Sequence, residues 1–368
     1  MTELKTDPRD LIGASDNEAR EARIDALKNI EPEVSRILFS NFDIRHPTAL
    51  SKAIQEAKGV SRQAASQLLM RLVQQGMLNE IEGTRPKKYE QPVLLEHRIT
   101  LPLAGIEEDV VWSERFRPVF AIFMGDEALA IWEYGFTEML NNAREHSQGT
   151  EVTITAEVRA GGATVFIQDN GEGIFKRIAR LCNLPYTRQA ILELAKGKLT
   201  TDPENHSGEG VFFSSRAFDR FMIASGGLTF DHMNGEDDFL FEFEDDKGRE
   251  GTAVVMSHGN HTKRTMKEVF DQYSVPDEYT FSKTVVPVKL ARFGQEGLVS
   301  RSQAQRLLAR IDRFKVVLFD FAGVDSVGQA FADEIFRVFA KAHPEVELEA
   351  IHASPQVQQM IVRATAMT

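Results

Sequence analysis

The chain has one cysteine among 368 residues, so no internal disulfide can form and no cysteine-based zinc site can be assembled. Cys182 therefore reads as a small buried hydrophobe rather than a redox device. No apolar run approaches the ~20 residues that a membrane-crossing helix needs. The first residues, MTELKTDPRDLIGASDNEAREAR, carry acids and no apolar core of the signal-peptide kind. These absences predict a cytoplasmic protein with no membrane partner. Positive charge is also scarce: 43 Lys/Arg against 55 Asp/Glu leave a net charge of −12, which argues against general nucleic-acid binding by the whole chain. Repeats and low-complexity tracts are missing too.

What is present is a globular composition, 42% apolar and 27% charged, in a length that fits two or three domains. After a polar tail at 1–30 the charge balance reverses. From Asp43 to Gln91 there are eight Lys/Arg against five Asp/Glu, a local balance of +3, which marks 31–91 as a separate module. Within it ALSKAIQEA and SRQAASQLLMRLVQQG read as helices, and MLNEIEGTRPKKYEQ as strand, turn and strand. Ser61 stands where an N-cap belongs and Gly76 where a helix stops. Ala64, Leu68, Leu69, Leu72 and Val73 recur at helical spacing and predict the inward face.

This pattern resembles a winged helix-turn-helix, with 61–75 as recognition helix and GTRPKK as the wing tip. The resemblance implies DNA as a partner. Arg62, Gln63, Gln67 and Arg71 would face the major groove, and Arg85, Lys87 and Lys88 the phosphates. The same module also serves dimerisation or protein contact, with its charges solvated. Helix-turn-helix proteins commonly form homodimers.

Residues 92–265 open with LLEHRITLPL, which alternates like a strand. DEALAIWEYGF leads into EMLNNAREHS, a helix unusually rich in short polar side chains. Glu138 and Asn142, four apart, share one helix face. An amide oxygen suits Mg²⁺, and a carboxylate one turn away can orient or deprotonate a nucleophile. Asn141 points elsewhere on the helix, and His146 reads as a packing or capping residue. NGEDDFLFEFEDDKGREGT reads as a hairpin with turns at Asn234-Gly235 and Lys247-Gly248 and its charges on the solvent side.

EMLNNAREHS, VFIQDNGEGIF, HSGEGVFFSSRAFDRF and GTAVVM follow one another in an order that resembles the Bergerat ATP-binding fold of the GHKL superfamily, over about residues 110 to 260. That superfamily takes in gyrase, ninety-kilodalton heat-shock chaperones, histidine kinases and MutL. The resemblance implies ATP and Mg²⁺ as cofactors, Asn142 as magnesium ligand and Glu138 as general base. It implies Asp169 as acceptor for the adenine amine, with Gly171 and Gly173 passing close under the base and Thr252 supporting the carboxylate. Ser207, Gly208 and Gly210 would cradle phosphate at a helix N-terminus. A lid would span about 176–207, with Lys176 and Arg177 at its start.

From residue 280 strands alternate with helices, which predicts a small α/β domain over 280–368 with a parallel or mixed sheet. VVLFDFAGVDSVGQAFADEIFRVFA resembles the STAS domain of anti-anti-sigma factors, and more closely a STAS-like domain of unknown function. Ser326 falls on the position that is phosphorylated in STAS domains, whereas Val327 departs from that family's pattern. Ser326 reads first as an N-cap for the following helix, and as a phospho-acceptor only second.

The expected class is thus α+β multidomain: winged helix-turn-helix, Bergerat α/β sandwich and a STAS-like α/β domain. The expected function is a regulator that couples Mg-ATP to the DNA-binding module and the STAS-like domain, with a possible protein partner at the latter. A serine kinase acting on Ser326, in cis or on another STAS domain, and a slow ATPase clamp that dimerises on ATP are the other readings.

Overall fold

In the computed structural model of the chain the described residues are 24–41, 47–199, 208–235, 238–243, 250–275, 280–292 and 296–366. Ser207 and the Lys247-Gly248 turn lie outside them. The architecture is mixed α and β. The first elements are helices α1 (Pro32–Ser40), α2 (Ser51–Lys58) and α3 (Arg62–Gln74), then strands β1 (Asn79–Ile81), β2 (Lys88–Glu90) and β3 (Leu95–Pro102). Helices α4 (108–120) and α5 (Asp126–His146) lead to β4 (Glu151–Val158) and β5 (Gly162–Asp169). Next come α6 (Ile174–Leu181), α7 (Gln189–Lys196), α8 (Gly210–Ala217), β6 (Arg220–Ser225), β7 (Leu228–Met233), β8 (Phe239–Glu242) and β9 (Ala253–Gly259). Helix α9 (Met266–Gln272), β10 (Lys283–Pro287), α10 (Arg301–Leu308), β11 (Val316–Asp320), α11 (329–342), β12 (Glu347–Ile351) and α12 (Pro355–Thr365) complete the chain.

Two compact units result: Met1–Gly171 with Ala217–Phe221 and Ala253–Met266, and Glu172–Arg216 with Met222–Thr252 and Lys267–Thr368. In the first, β3, β4, β5 and β9 lie side by side, antiparallel throughout, with Leu95 opposite Val158, Val152 opposite Asp169 and Gly162 opposite Gly259. The alternation of β4 buries Val152, Ile154, Ala156 and Val158 on one face. Helix α5 packs on β5 and β9.

Helix α4 is absent from the sequence reading, although Trp112, Phe116 and Phe120 stand four apart in it. It contains a π turn at Trp112–Phe116, and its rings meet Phe136 and Trp132 of α5. Fully burying each such side chain contributes about 1.5–3 kcal/mol. Gly135 is part of that packing, because a side chain there would run into the Phe218 ring.

The described residues begin inside the expected polar tail, with Ile24, Leu27 and Ile30 buried. Helix α1, expected within the basic module, contacts α2 of that module and also packs on β5 and β9. Ser35 Oγ donates to the Ala160 carbonyl at 2.9 Å, and Gln91 bridges the Leu38 carbonyl and the Gly161 amide at 3.0 and 2.9 Å.

Helix α3 starts as its sequence dictates. Ser61 Oγ accepts from the Ala64 amide at 3.2 Å, and Gly76 takes φ +72° just beyond its end. Its inward stripe is Ala65, Leu69 and Leu72, whereas Ala64, Leu68 and Val73 flank it half-buried. Strands β1 and β2 pair antiparallel, Glu80 opposite Tyr89.

In the second unit β10, β11 and β12 form a parallel sheet, Lys283 opposite Val316 and Val316 opposite Glu347. The apolar runs KTVVP and VVLFD suit strands covered on both faces. Helix α7 packs against β10 and is buried along its whole length. Helix α11 contacts α10 and α12. Helix α8 ends at Ala217, and the DRF expected in it begins or adjoins strand β6.

Candidate functional site

In the first unit the buried residues of α5, from Ala128 through Trp132, Phe136 and Leu140 to Ala143, hold one face of the helix on the core. Glu138 and Asn142 sit half-buried at its margin. Asn141 Oδ1 is held by Arg144 at 2.5 Å, and Arg144 also pairs with Glu108 and Glu145 at 2.7 Å each. Asn142 differs: its Nδ2 is buried with no hydrogen-bond partner among the described residues. Leaving a buried amide end unsatisfied costs about 1–3 kcal/mol. Whichever way the amide is turned, one polar end meets no protein partner.

Asp169 closes β5 at 6% exposure. Its Oδ1 accepts from the Gly171 amide at 2.8 Å, a turn that Asp favours. The next residue, Asn170, is tied back by the Thr150 amide at 2.8 Å. Gly171 is required by the protein itself, since a side chain would strike the Ser147 carbonyl at the end of α5. Asp169 and Gly171 are thereby fixed beside the end of the helix that carries Glu138 and Asn142.

In the second unit Gly173 has φ +87°, and a side chain on it would meet Ser225 Oγ. Thr252 Oγ1 accepts from the Ile174 amide at 3.0 Å, so its hydroxyl caps the first turn of α6. Gly208 takes φ +70°, and Gly210 opens α8. Of the expected lid, Arg177 and Arg180 reach Glu172 at 3.4 and 2.7 Å, while Lys176 is exposed. A helix buried on every side, as α7 is, cannot swing over a ligand without unpacking. Residues 200–207 of the expected lid lie outside the described residues.

Two buried charge clusters in this unit escaped the sequence reading. Lys196, 2% exposed, donates to Glu193 Oε1 at 2.8 Å and to the Arg306 and Ala309 carbonyls at 2.9 Å each. Burial pulls its pKa below the usual lysine value, against the opposing pull of Glu193. Cys182, expected as a buried hydrophobe, is half-exposed, and its sulfur accepts from Arg310 at 3.0 Å. The second cluster joins Arg216, His232 and Asp238. It corrects the acidic hairpin: Asp238 points inward, at 6% exposure. Burial pushes its carboxyl up, but the Arg216 guanidinium and then His232 pull harder and hold it below the usual carboxylate range. Asp238 sits in a run of acids, and nothing local distinguishes it from its solvated neighbours.

On the basic module Arg62, Gln63, Gln67 and Arg71 are exposed along α3, and Arg85, Lys87 and Lys88 are exposed on the β1–β2 hairpin. Lys87 pairs with Glu80 at 2.6 Å, a surface pair of little energetic weight. At the other end of the chain, Ser326 is exposed and is not the helix cap. The cap position of α11 belongs to Gly328, without a side-chain bond, because the buried Val327 first pairs with Leu298.

Among the described residues no group of three or more His, Cys, Asp and Glu side chains is arranged to hold a metal ion, and no helix is long and apolar enough to cross a membrane. Residues 303–358 match the family model of the STAS-like domain of unknown function (DUF4325). No curated protein matches the chain.

Proposed function

We propose that the protein is a nucleotide-responsive regulator of the GHKL type, which binds Mg-ATP and relays its state to a DNA-binding winged helix and to the STAS-like domain. The observation that carries the reading is the buried, unsatisfied amide of Asn142 on the helix face it shares with Glu138. A structural pair would have satisfied that amide within the protein; a metal-bound phosphate group would satisfy it on binding. The buried Asp169 at the end of β5 supports the same reading, since an adenine amine is a donor that a buried carboxylate can use. The antiparallel strands β3, β4, β5 and β9 under α5 fit the sheet and helix of a Bergerat sandwich.

Asn142 would hold the metal and its phosphate, and Asp169 the base. Bound ATP supplies a transferable phosphoryl group. Glu138 would accept a proton from the attacking hydroxyl or water. The α2–α3 pair with the β1–β2 hairpin fits a winged helix, with α3 presenting Arg62, Gln63, Gln67 and Arg71. A homodimer in the cytoplasm is the form in which such a module would read DNA.

A second reading, a serine kinase, is favoured by Ser326, which is exposed and does not cap α11. One experiment separates the two. The protein is incubated with Mg²⁺ and γ-labelled ATP, and the label is followed into protein, free phosphate or neither. Label on Ser326 makes it a kinase acting on its own domain. Free phosphate, or bound and unchanged ATP, leaves the regulator. Glu138→Ala should bind ATP as the parent does and lose turnover. If calorimetry finds no adenine nucleotide binding to the parent, both readings fail.

A further inference from the structure

In the second unit a cavity of about 200 Å³ opens at the carboxyl edge of the parallel sheet. Pro287 and Asp320, the last residues of β10 and β11, are opposite each other in register and line it. Arg216 of α8 and His232 and Asp238 of the β7–β8 hairpin are also part of the wall. Open α/β sheets bind their ligands outside the carboxyl ends of the strands. None of the lining residues belongs to the nucleotide set proposed above.

The size limits the occupant. Drug-sized ligands need about 300 Å³ or more, so a nucleotide or a folded peptide segment does not fit, whereas a small metabolite does. The charges limit it further. Two cations, Arg216 and Lys289, face two carboxylates, Asp238 and Asp320, and burial, then the Arg216 cation, hold His232 below its usual pKa. A ligand with one net charge would gain from one sign and lose to the other. An uncharged ligand would displace water from four charged groups and return too little.

The valences point to a direction. Asp238 is occupied by Arg216 and His232 and serves as wall. Asp320 differs: its Oδ1 takes both the Ala322 amide at 2.9 Å and His352 Nδ1 at 2.8 Å, while its Oδ2 has no partner among the described residues. The hydroxyl of Tyr273, also in the lining, makes no hydrogen bond among them either. Lys289 carries its ammonium 4.8 Å from the Phe239 ring, on the hairpin side of the opening.

We propose that this cavity binds a small zwitterion of the amino-acid class, its ammonium on Asp320 Oδ2 and its carboxylate toward Lys289 and Arg216. The full-length protein is titrated calorimetrically, without nucleotide, against each common L-amino acid. The best binder is followed by its decarboxylated amine and its deaminated acid. At least one amino acid should bind, and both truncated analogues should bind at least about tenfold more weakly, the loss expected for one charge-assisted hydrogen bond. Asp320→Asn and Lys289→Gln should each weaken the amino acid by a similar factor with the circular dichroism spectrum unchanged. If Asp320→Asn does not fold, Lys289→Gln, at a half-exposed site, decides alone. The proposal is overturned if no amino acid binds, if an analogue with one charge binds as well as the parent ligand, or if binding survives the folded variants unchanged. Because ATP is absent from the titration, failure here leaves the nucleotide reading standing, and failure of that reading leaves this one standing.

Discussion

Lys196 in the second unit and Asn142 in the first both bury a nitrogen that must donate. The three protons of the Lys196 ammonium meet three oxygens, one from Glu193 and two from carbonyls around the end of α10. The Asn142 amide keeps a buried Nδ2 that no described residue accepts from. Both arrangements cost desolvation, and only the first recovers it within the protein. The fully answered charge belongs to architecture; on the reading proposed above, the unanswered amide is completed by a bound group. Sequence alone gives no such ranking: Lys196 looks like a lid charge and Asn142 like one of several polar residues on a helix.

The comparison is most strained by removing Lys196. Lys196→Ala leaves Glu193 buried with Arg310 3.5 Å away as its remaining cation. Chemical denaturation should show a loss of about 3–5 kcal/mol, and a loss within error would mean that the cluster is not structural. Next in size is Asp169→Asn, which removes the proposed acceptor of the adenine amine. Calorimetry should show adenine nucleotide affinity falling at least about a hundredfold, roughly 2.7 kcal/mol. Affinity equal to the parent's would remove Asp169 from the pocket.

Asn142→Ala sharpens the contrast from the other side. Removing an unsatisfied amide should leave stability unchanged or raise it by up to about 1 kcal/mol, while the magnesium dependence of nucleotide binding disappears. A destabilised variant with magnesium dependence intact would reverse the assignment of roles.

The smallest effect is pH-dependent. Burial, then Arg216, hold His232 below its usual pKa although Asp238 pulls the other way. The unfolded chain therefore takes up that proton first, and stability falls as pH drops below about 6.5. Asp238, held low, adds its own loss only below about 4, as pH falls past the ordinary carboxylate value. His97 and His261 are also held low by burial and act in the same direction as His232. His232→Gln should accordingly flatten part of the decline in melting temperature between about pH 7 and pH 5, and an unaltered slope would place that decline elsewhere.

Local signals were readable where one residue type has one strong use. Ser61 caps α3, Gly76 stops it, and the alternation of apolar strands such as KTVVP and VVLFD with helices fits the parallel sheet. The reading went wrong where a residue has several uses and tertiary contacts choose between them. Ser326 could cap a helix, but the pairing of Val327 with Leu298 delays the helix to Gln329. Gly171 and Gly173 have a structural demand from Ser147 and Ser225 that the sequence does not display. Helix α1 meets α2 of the basic module, and the Ser35 hydroxyl and the Phe39 ring also tie it to the sheet, a second set of contacts that sequence proximity does not reveal. Of the candidate site, the residue types and their order were legible. The satisfied or unsatisfied state of each polar atom was not, because it depends on neighbours far along the chain.

The placement of α7 against β10 bears on how this chain could have been assembled from smaller genes. The family-matched segment starts at residue 303, yet it lacks β10, one edge of the three-stranded sheet, and it lacks α7, which lies more than a hundred residues upstream and covers that strand. Cut at the family boundary, β11 would present an unpaired edge open to association with other chains. The STAS-like portion is therefore not a cassette that can be appended, removed or exchanged at its own ends. Any rearrangement that moved it would have to carry a helix from the middle of the protein with it.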